Sequence, residues 1–461
     1  MAAQQRLQLH GVNTTDNTKV RPMNPRQATL QGLLASLALS CAIAQASVQP
    51  KFADADASDP VVMGWMQGTP PAPEKTVRFG NFLQFPQMRW SFSHVRELLP
   101  TVQVSRGTGE VSSLPRDERT DIDALEFTPL GGERPMTWEQ SLKANYTDGI
   151  LVLHRGRVVY ERYFGALTGQ GQHIAMSVTK SFIGTLAAML VEEGRIDPQE
   201  KVGHYVPELK DSAFGDATLR QVMDMTVGVR YSENYADPKA DIWEYVRAGH
   251  MLPRPAGYNG ATSVTEYLMK LPKEGEHGQG FAYKTVNTDV LSWVIQRVTG
   301  KPIAVNLQER IWSKLGAEQD AYLIADEVGT AFSGGGFNTS LRDLARFGEM
   351  MRLDGQFNGQ QIVPKSVVAD IRRGGSQEDF AKAGMKLLPN WSYRDMWWVS
   401  HNDHGAYLAR GVHGQGIYVD PKAEMVIVRY ASHPLAGSSN FDPTTLPAYQ
   451  AVAEHLMATS L

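Results

Sequence analysis

Ser177-Val178-Thr179-Lys180 opens an unbroken apolar and small-residue run, Ser181 to Val191, and no other feature constrains the chain more. The run holds good helix formers and no proline, and Gly194 follows where a helix C-terminus wants a glycine. A helix this apolar all round is buried rather than peripheral. If it begins near Ser177, the serine and Lys180 lie one turn apart on one face. A lysine opening a buried helix needs a reason, and chemistry offers one. A serine hydroxyl is a poor nucleophile at neutral pH, but a neutral amine beside it can take its proton. That requires burial or another cation to depress the lysine pKa. The helix N-terminus adds backbone N–H groups that favour the developing negative charge. Four residues of common types also fit a serine N-cap with an exposed lysine one turn on. The rest of the chain therefore has to supply the remaining groups.

A chain of 461 residues can bury a large core, in one large or two interlocked domains. Its formal net charge of −4, with no extended lysine or arginine run, gives no electrostatic case for nucleic acid or an anionic membrane surface. Cys41 is the only cysteine, which excludes an intramolecular disulfide and disfavours a cysteine metal site or thiol catalysis. It falls in a segment with the pattern of a secretory signal peptide: a basic start after Met23, an apolar centre from Leu30, and Ala44-Gln45-Ala46 as the small-x-small end. The expectation is an exported, periplasmic protein cleaved after Ala46, with a cytoplasmic one as the alternative. No other stretch is long and apolar enough to span a membrane.

Residues 47 to about 75, rich in Ala, Asp and Pro, read as a linker. Phe82, Phe85, Trp90 and Phe92 must pack on something, so 79–105 reads as a wrapped extension. Residues 149–154 and 157–163, joined at Arg155-Gly156, predict a β-hairpin. From about 198 to 347 the pattern is mostly helical. Gly411 to Pro421 and Glu424 to Tyr430 predict another β pair, and a helix from about Pro443 to Met457 closes the chain. Strands at both ends with helices between predict an α+β fold, an antiparallel sheet flanked by helices with an inserted all-helical domain. The expected division is a tail and signal peptide (1–46), linker and extension (47–130), an α/β domain (131–195 and 345–461) and a helical domain (196–344).

Serine–lysine chemistry also needs a proton donor for the leaving group and a site for the oxyanion. Tyr283, in a loop before an amphipathic helix (Asp289 to Val298), is placed to reach a cleft, where Lys180 would favour its phenolate. A core tyrosine with a satisfied hydroxyl fits the same position. The turn-rich loop from Tyr231 to Pro238 offers two more tyrosines. The glycine-bearing strand Gly411–Gly416 could place a backbone N–H opposite that of Ser177. A metal site on His401, His404 or His413 lacks a convincing third-ligand spacing.

The run Met176-Ser177-Val178-Thr179-Lys180-Ser181-Phe182, with Glu192 to Asp197 and Tyr205-Val206-Pro207-Glu208-Leu209, resembles the serine β-lactamase-like hydrolases, whose S-x-x-K motif it carries. Within them the chain looks closest to the 6-aminohexanoate-dimer hydrolases, through Asp224-Met225, Tyr231-Ser232-Glu233, Tyr235-x-Asp237-Pro238, Tyr283, Asn287 to Leu291, Trp397-Trp398 and His413-Gly414-Gln415. Arg89 to Pro100 resembles that group too, so the likeness covers roughly 75–455. It implies a β-lactamase/transpeptidase-like fold without metal or organic cofactor, and a small-molecule amide or ester substrate; it leaves room for a homodimer. It further implies Ser177 as acyl-forming nucleophile, Lys180 as its base, and Tyr283 as proton relay. Tyr235 would contact the substrate amide, and Val412, His413 and Gly414 would line the substrate and oxyanion side. The chain departs from the penicillin-recognising pattern in two places. His413-Gly414-Gln415 stands where Lys-Thr-Gly is usual, and Thr285 stands where Tyr-x-Asn would put its asparagine. The expected activity is a serine hydrolase working through an acyl-enzyme. The alternatives are a family VIII-type carboxylesterase and a non-catalytic penicillin-binding-like sensor.

Overall fold

Isoleucine, leucine and valine crowd 150–153 too densely for a sheet with one wet face, so a strand covered on both sides is the physical outcome. The computed structural model describes residues 52–459, and in it Thr147–His154 is buried along its whole length. The strand turns into Arg157–Tyr163 through Arg155 and Gly156, both at positive φ (52° and 76°), as a tight hairpin demands. Met425–Ala431 pairs antiparallel on the other side, with Val428 opposite Leu151. The whole antiparallel sheet runs Ser392–Arg394, Trp397–Val399, Tyr407–Arg410, Gly416–Asp420, Met425–Ala431, Thr147–His154, Arg157–Tyr163.

Alternation along these strands decides what covers each face. Val426 and Ile417 face the helix Leu341–Arg352, where Gly348 has no room for a Cβ beside them. Tyr418 points the other way and packs on Tyr449 of the terminal helix Asp442–Ala458. Trp138, opening the helix Trp138–Ala144, joins that face against Tyr160 and Tyr449.

A second sheet orders Thr101–Val104, Ala321–Ile324, Phe337–Ser340 and Gln172–Ile174. Two of these strands lie within 196–344, the stretch expected to be helical. Strands of four residues are too short to show a period, and each also pairs with a segment far away in sequence, 101–104 or 172–174. Residues 53–75, read as a linker, are packed: Trp65 is buried, the Tyr146 hydroxyl donates to Ala53 O (2.8 Å), and Arg89 Nη2 donates to Ala55 O (3.3 Å). Phe82 and Phe92 of the extension are fully buried, as their aromatic content predicts. The predicted strand through 411–416 is corrected as well. Val412–Gly414 is a single 3₁₀ turn between two strands, with His413 at φ 63° and Gly414 at φ 102°. The glycines that suggested close approach also let the chain bend. The signal segment at 23–46, Cys41 included, lies outside the described residues. Among those described, no helix is long and apolar enough to cross a membrane.

The helix Val178–Glu192 is buried from Val178 to Leu190 and stops where Gly194 turns to φ 68°. Phe182 stacks on Phe347 with ring centroids 3.7 Å apart. Thr185 accepts from Trp397 Nε1 at 3.1 Å, and Ser181 donates to Met396 O at 2.8 Å. Gly184 faces the bend of that same hairpin so closely that a Cβ would collide with the Asp395 carbonyl and Met396. Gly184→Ala is therefore expected to cost about 1–3 kcal/mol through overpacking, read as a lower denaturation midpoint. An unchanged midpoint would contradict this close approach.

Candidate active site

Ser177 caps the buried helix, yet its side chain makes no cap hydrogen bond, which leaves Oγ for other partners. Lys180 Nζ donates to it at 2.8 Å and also donates to the Gly334 carbonyl. Lys180 is 1 % exposed, and among the described residues no carboxylate contacts its amine. Burial pushes its pKa down to about 8, while the more distant Glu233 and Asp289 carboxylates pull upward. A neutral amine has two N–H bonds and one lone pair. With one N–H taken by Gly334 O, the lone pair can face the Ser177 O–H.

Tyr283 closes the triangle. Its ring lies 5.2 Å from Lys180 Nζ, and the Ser177 side chain is near enough to act on its hydroxyl, favouring the ionised form. Trp398 stacks on it with centroids 5.4 Å apart, fixing the ring. The expectation that Lys180 would favour a phenolate is not met. Burial, and then the Glu233 carboxylate, raise the phenol well above its ordinary range, so Tyr283 keeps its proton and can only exchange one proton for another.

A cavity of about 530 Å³ opens over Ser177. Tyr235, Trp243 and Val246 line one side, Val412 and His413 the opposite side, and Leu83 reaches in from the N-terminal extension. Among the described residues, Glu233 is the carboxylate of this lining and no lysine or arginine belongs to it. Glu233 accepts from the Tyr235 hydroxyl (2.8 Å), the Thr285 N–H (2.6 Å) and the Thr285 hydroxyl (2.7 Å), so it ties the two tyrosine-bearing loops together. The segment Asp241–Ala248 is a helix turning Ile242, Trp243, Tyr245 and Val246 to the cavity, while Asp241 accepts from Ser232 N–H outside it.

Gly411 lets the opposite wall approach; a Cβ there would sit 3.1 Å from Ser177 N. Neither the Ser177 nor the Val412 N–H donates to an acceptor among the described residues, so both are free to meet an oxyanion. His413 donates from Nδ1 to His433 O at 2.7 Å, and burial pushes its pKa down to about 4. It is a neutral wall rather than a cation. Gly414, expected beside it, does not line the cavity; it is the turn residue whose carbonyl accepts from Arg429 Nε at 2.8 Å. His401 and His404 are engaged elsewhere, with Ser392 (2.7 Å) and Asp420 (2.7 Å).

Ser177, Lys180, Tyr283, Tyr235, Val412 and His413 are thus brought together. Glu233, Gly334 and Leu83 were not expected there. Glu233 stood two residues before Tyr235, and Gly334 stood in a Ser-Gly-Gly-Gly run; a glycine run is a visible sign of close backbone approach.

The family model described as Beta-lactamase matches residues 139–446. The 6-aminohexanoate-dimer hydrolase of Paenarthrobacter ureafaciens is 36% identical over 76% of this chain and 86% of its own length. A solved Bacillus anthracis structure assigned as a 6-aminohexanoate-dimer hydrolase superposes with TM-score 0.77 at 33% identity, over 84% of this chain and 99% of that one. A family VIII carboxylesterase shares the fold, with TM-score 0.51 at 15% identity over 74% of this chain and all of that one.

Because the base must be neutral to accept a proton, the rate at which a fluorophosphonate labels Ser177 should rise with pH through a midpoint at about 8. A profile flat from about pH 6 to about pH 10 would remove Lys180 from that role.

Proposed function

This chain belongs to the beta-lactamase family and is a hydrolase of that kind; on that premise we propose that it cleaves short linear amides, as 6-aminohexanoate-dimer hydrolases do, through an acyl-enzyme on Ser177. The observation that carries this reading is the buried Lys180 amine 2.8 Å from the Ser177 hydroxyl, with the Tyr283 ring 5.2 Å from that amine and Ser177 itself lining an open cavity. Ser177 Oγ bonds to the substrate carbonyl carbon and its proton passes to Lys180 Nζ. The oxyanion lies between the N–H groups of Ser177 and Val412. As the C–N bond breaks, the departing nitrogen takes the Tyr283 proton, and Lys180 returns one to Tyr283. Water then enters by the reverse relay and releases the acid.

Charge narrows the substrate. A carboxylate of the kind a β-lactam carries meets no cation in the lining, whereas an ammonium end would find Glu233. Tyr235 spends its proton on Glu233, so its oxygen remains an acceptor for an amide N–H. The carboxylesterase reading shares every step but this one, because an ester has no N–H to offer. A sensor that only binds has no need of a relay to a leaving group. Export after cleavage behind Ala46 belongs to the same proposal, supported by the pattern of 23–46 alone, and a homodimer by the resemblance alone. So does a division of labour in which the 131–195 and 345–461 segments carry the nucleophile and 196–344 carries the tyrosines.

Ser177→Ala is expected to abolish repeated turnover of p-nitrophenyl esters and linear amides, a loss on the order of 10³-fold or more, with an unchanged circular dichroism spectrum. Full hydrolysis in that variant would end the proposal. Tyr235→Phe should slow amide hydrolysis far more than ester hydrolysis, and equal losses would remove Tyr235 from amide recognition.

A further inference from the structure

The relay leaves one buried charge without a task. Asp289, on the helix Val286–Thr299, is 4 % exposed and pairs with no cation among the described residues. Donors hold it instead: Ser333 N–H at 2.9 Å on Oδ1 and the Tyr245 hydroxyl on Oδ2. These contacts anchor the Ser333-Gly334 segment whose carbonyl accepts from Lys180 Nζ. The anchorage is tight. A Cβ on Gly334 would run into the Thr285 side chain and the Tyr245 hydroxyl, and would lie 3.0 Å from Asp289 Oδ2.

Lys180 becomes an ammonium when Ser177 gives up its proton, in a place with no carboxylate in contact. The negative charges that act on it are Glu233 and Asp289. We propose that Asp289 is a positioning residue for Lys180: it holds the Gly334 carbonyl that orients the amine, and its charge stabilises the ammonium formed during acylation. The inference rests on the acyl-enzyme reading above. The titratable groups facing this pair are Tyr245 from the helix Asp241–Ala248, Tyr283 from the loop before the Asp289 helix, and Glu233 from the loop bearing Tyr235. Burial lifts Asp289 to about 6 and Lys180 falls to about 8, so the carboxylate is ionised wherever the amine is a working base.

Asp289→Asn keeps the shape and an oxygen for Ser333 N–H but removes the charge. Fluorophosphonate labelling of Ser177 and p-nitrophenyl acetate hydrolysis would be followed against pH in wild type and variant. The expected result is an acid limb moved to lower pH by roughly one unit, because an ammonium without its anion loses its proton more readily, with a plateau lowered roughly tenfold or more. A limb that stays in place, whatever the loss in rate, overturns the inference, since misfolding lowers the amplitude and not the midpoint. If the variant does not fold, ¹³Cε-lysine NMR of the Glu233→Gln enzyme serves. The Lys180 signal should show, besides its own titration, a smaller step near pH 6 from Asp289; a single step overturns the inference. Wild type that neither labels nor turns over takes down the acyl-enzyme reading itself, whereas a reactive wild type with an unmoved variant limb removes Asp289 alone.

Discussion

A lysine amine buried without a carboxylate in contact is the constraint on which the rest of this molecule turns. Taking an ammonium out of water costs several kcal/mol even after relaxation. Burial accordingly lowers the Lys180 pKa to about 8 and enlarges the fraction of neutral amine, the form able to accept a proton. The apolar helix that carries it, the glycine that lets a hairpin press on that helix, and the carbonyl of Gly334 all serve the same desolvated spot. Packing and protonation are one requirement here: a looser, wetter core would return the amine to its ordinary pKa.

Around this spot the charges are graded by distance rather than paired. Glu233 and Asp289 act on Lys180 from beyond contact, and both favour its charged form against the pull of burial. Burial, reinforced by Glu233, keeps the Tyr283 phenol protonated, and Glu233 fixes Tyr235 through a hydrogen bond. On the other wall, burial keeps His413 neutral. The cavity therefore presents one carboxylate, two free backbone donors and an apolar surround, a setting in which oriented dipoles act more strongly than in water.

The N-terminal extension belongs to the site's framework. Arg89 Nη1 donates to Asp148 Oδ1 at 2.8 Å, and the Ser432 hydroxyl donates to Asp148 Oδ2 at 2.6 Å, all three residues being buried. This network clasps the extension to a central strand and to the point where the chain leaves the sheet towards the cavity-lining loop around Leu435. Removing Arg89 or Asp148 alone would strand a buried charge, a loss of about 3–5 kcal/mol. Leu83, a few residues before Arg89, reaches the cavity from the same segment.

Local pattern sufficed for elements whose burial repeats within one helix or strand. The Val178–Glu192 helix, the 149–163 hairpin and the Ser177–Lys180 pair are of this kind, since three residues on a helix are neighbours wherever the helix sits. Tyr283 was identifiable as a candidate, but its protonation depended on burial and then on Glu233, fifty residues away, both supplied only by folding. The strands 321–324 and 337–340 have no period of their own and exist because 101–104 and 172–174 lie beside them. The bend at His413 and the withdrawal of Gly414 from the cavity likewise follow from packing against Arg429 and His433. What the amino-acid order determined by itself was the Ser177–Lys180 pair and the buried helix beneath it, because both rest on spacing within a few residues. The fields acting on that pair, the walls of the cavity and the pKa of every group in it were decided by tertiary structure, because charge, burial and backbone donors act through space and ignore position along the chain.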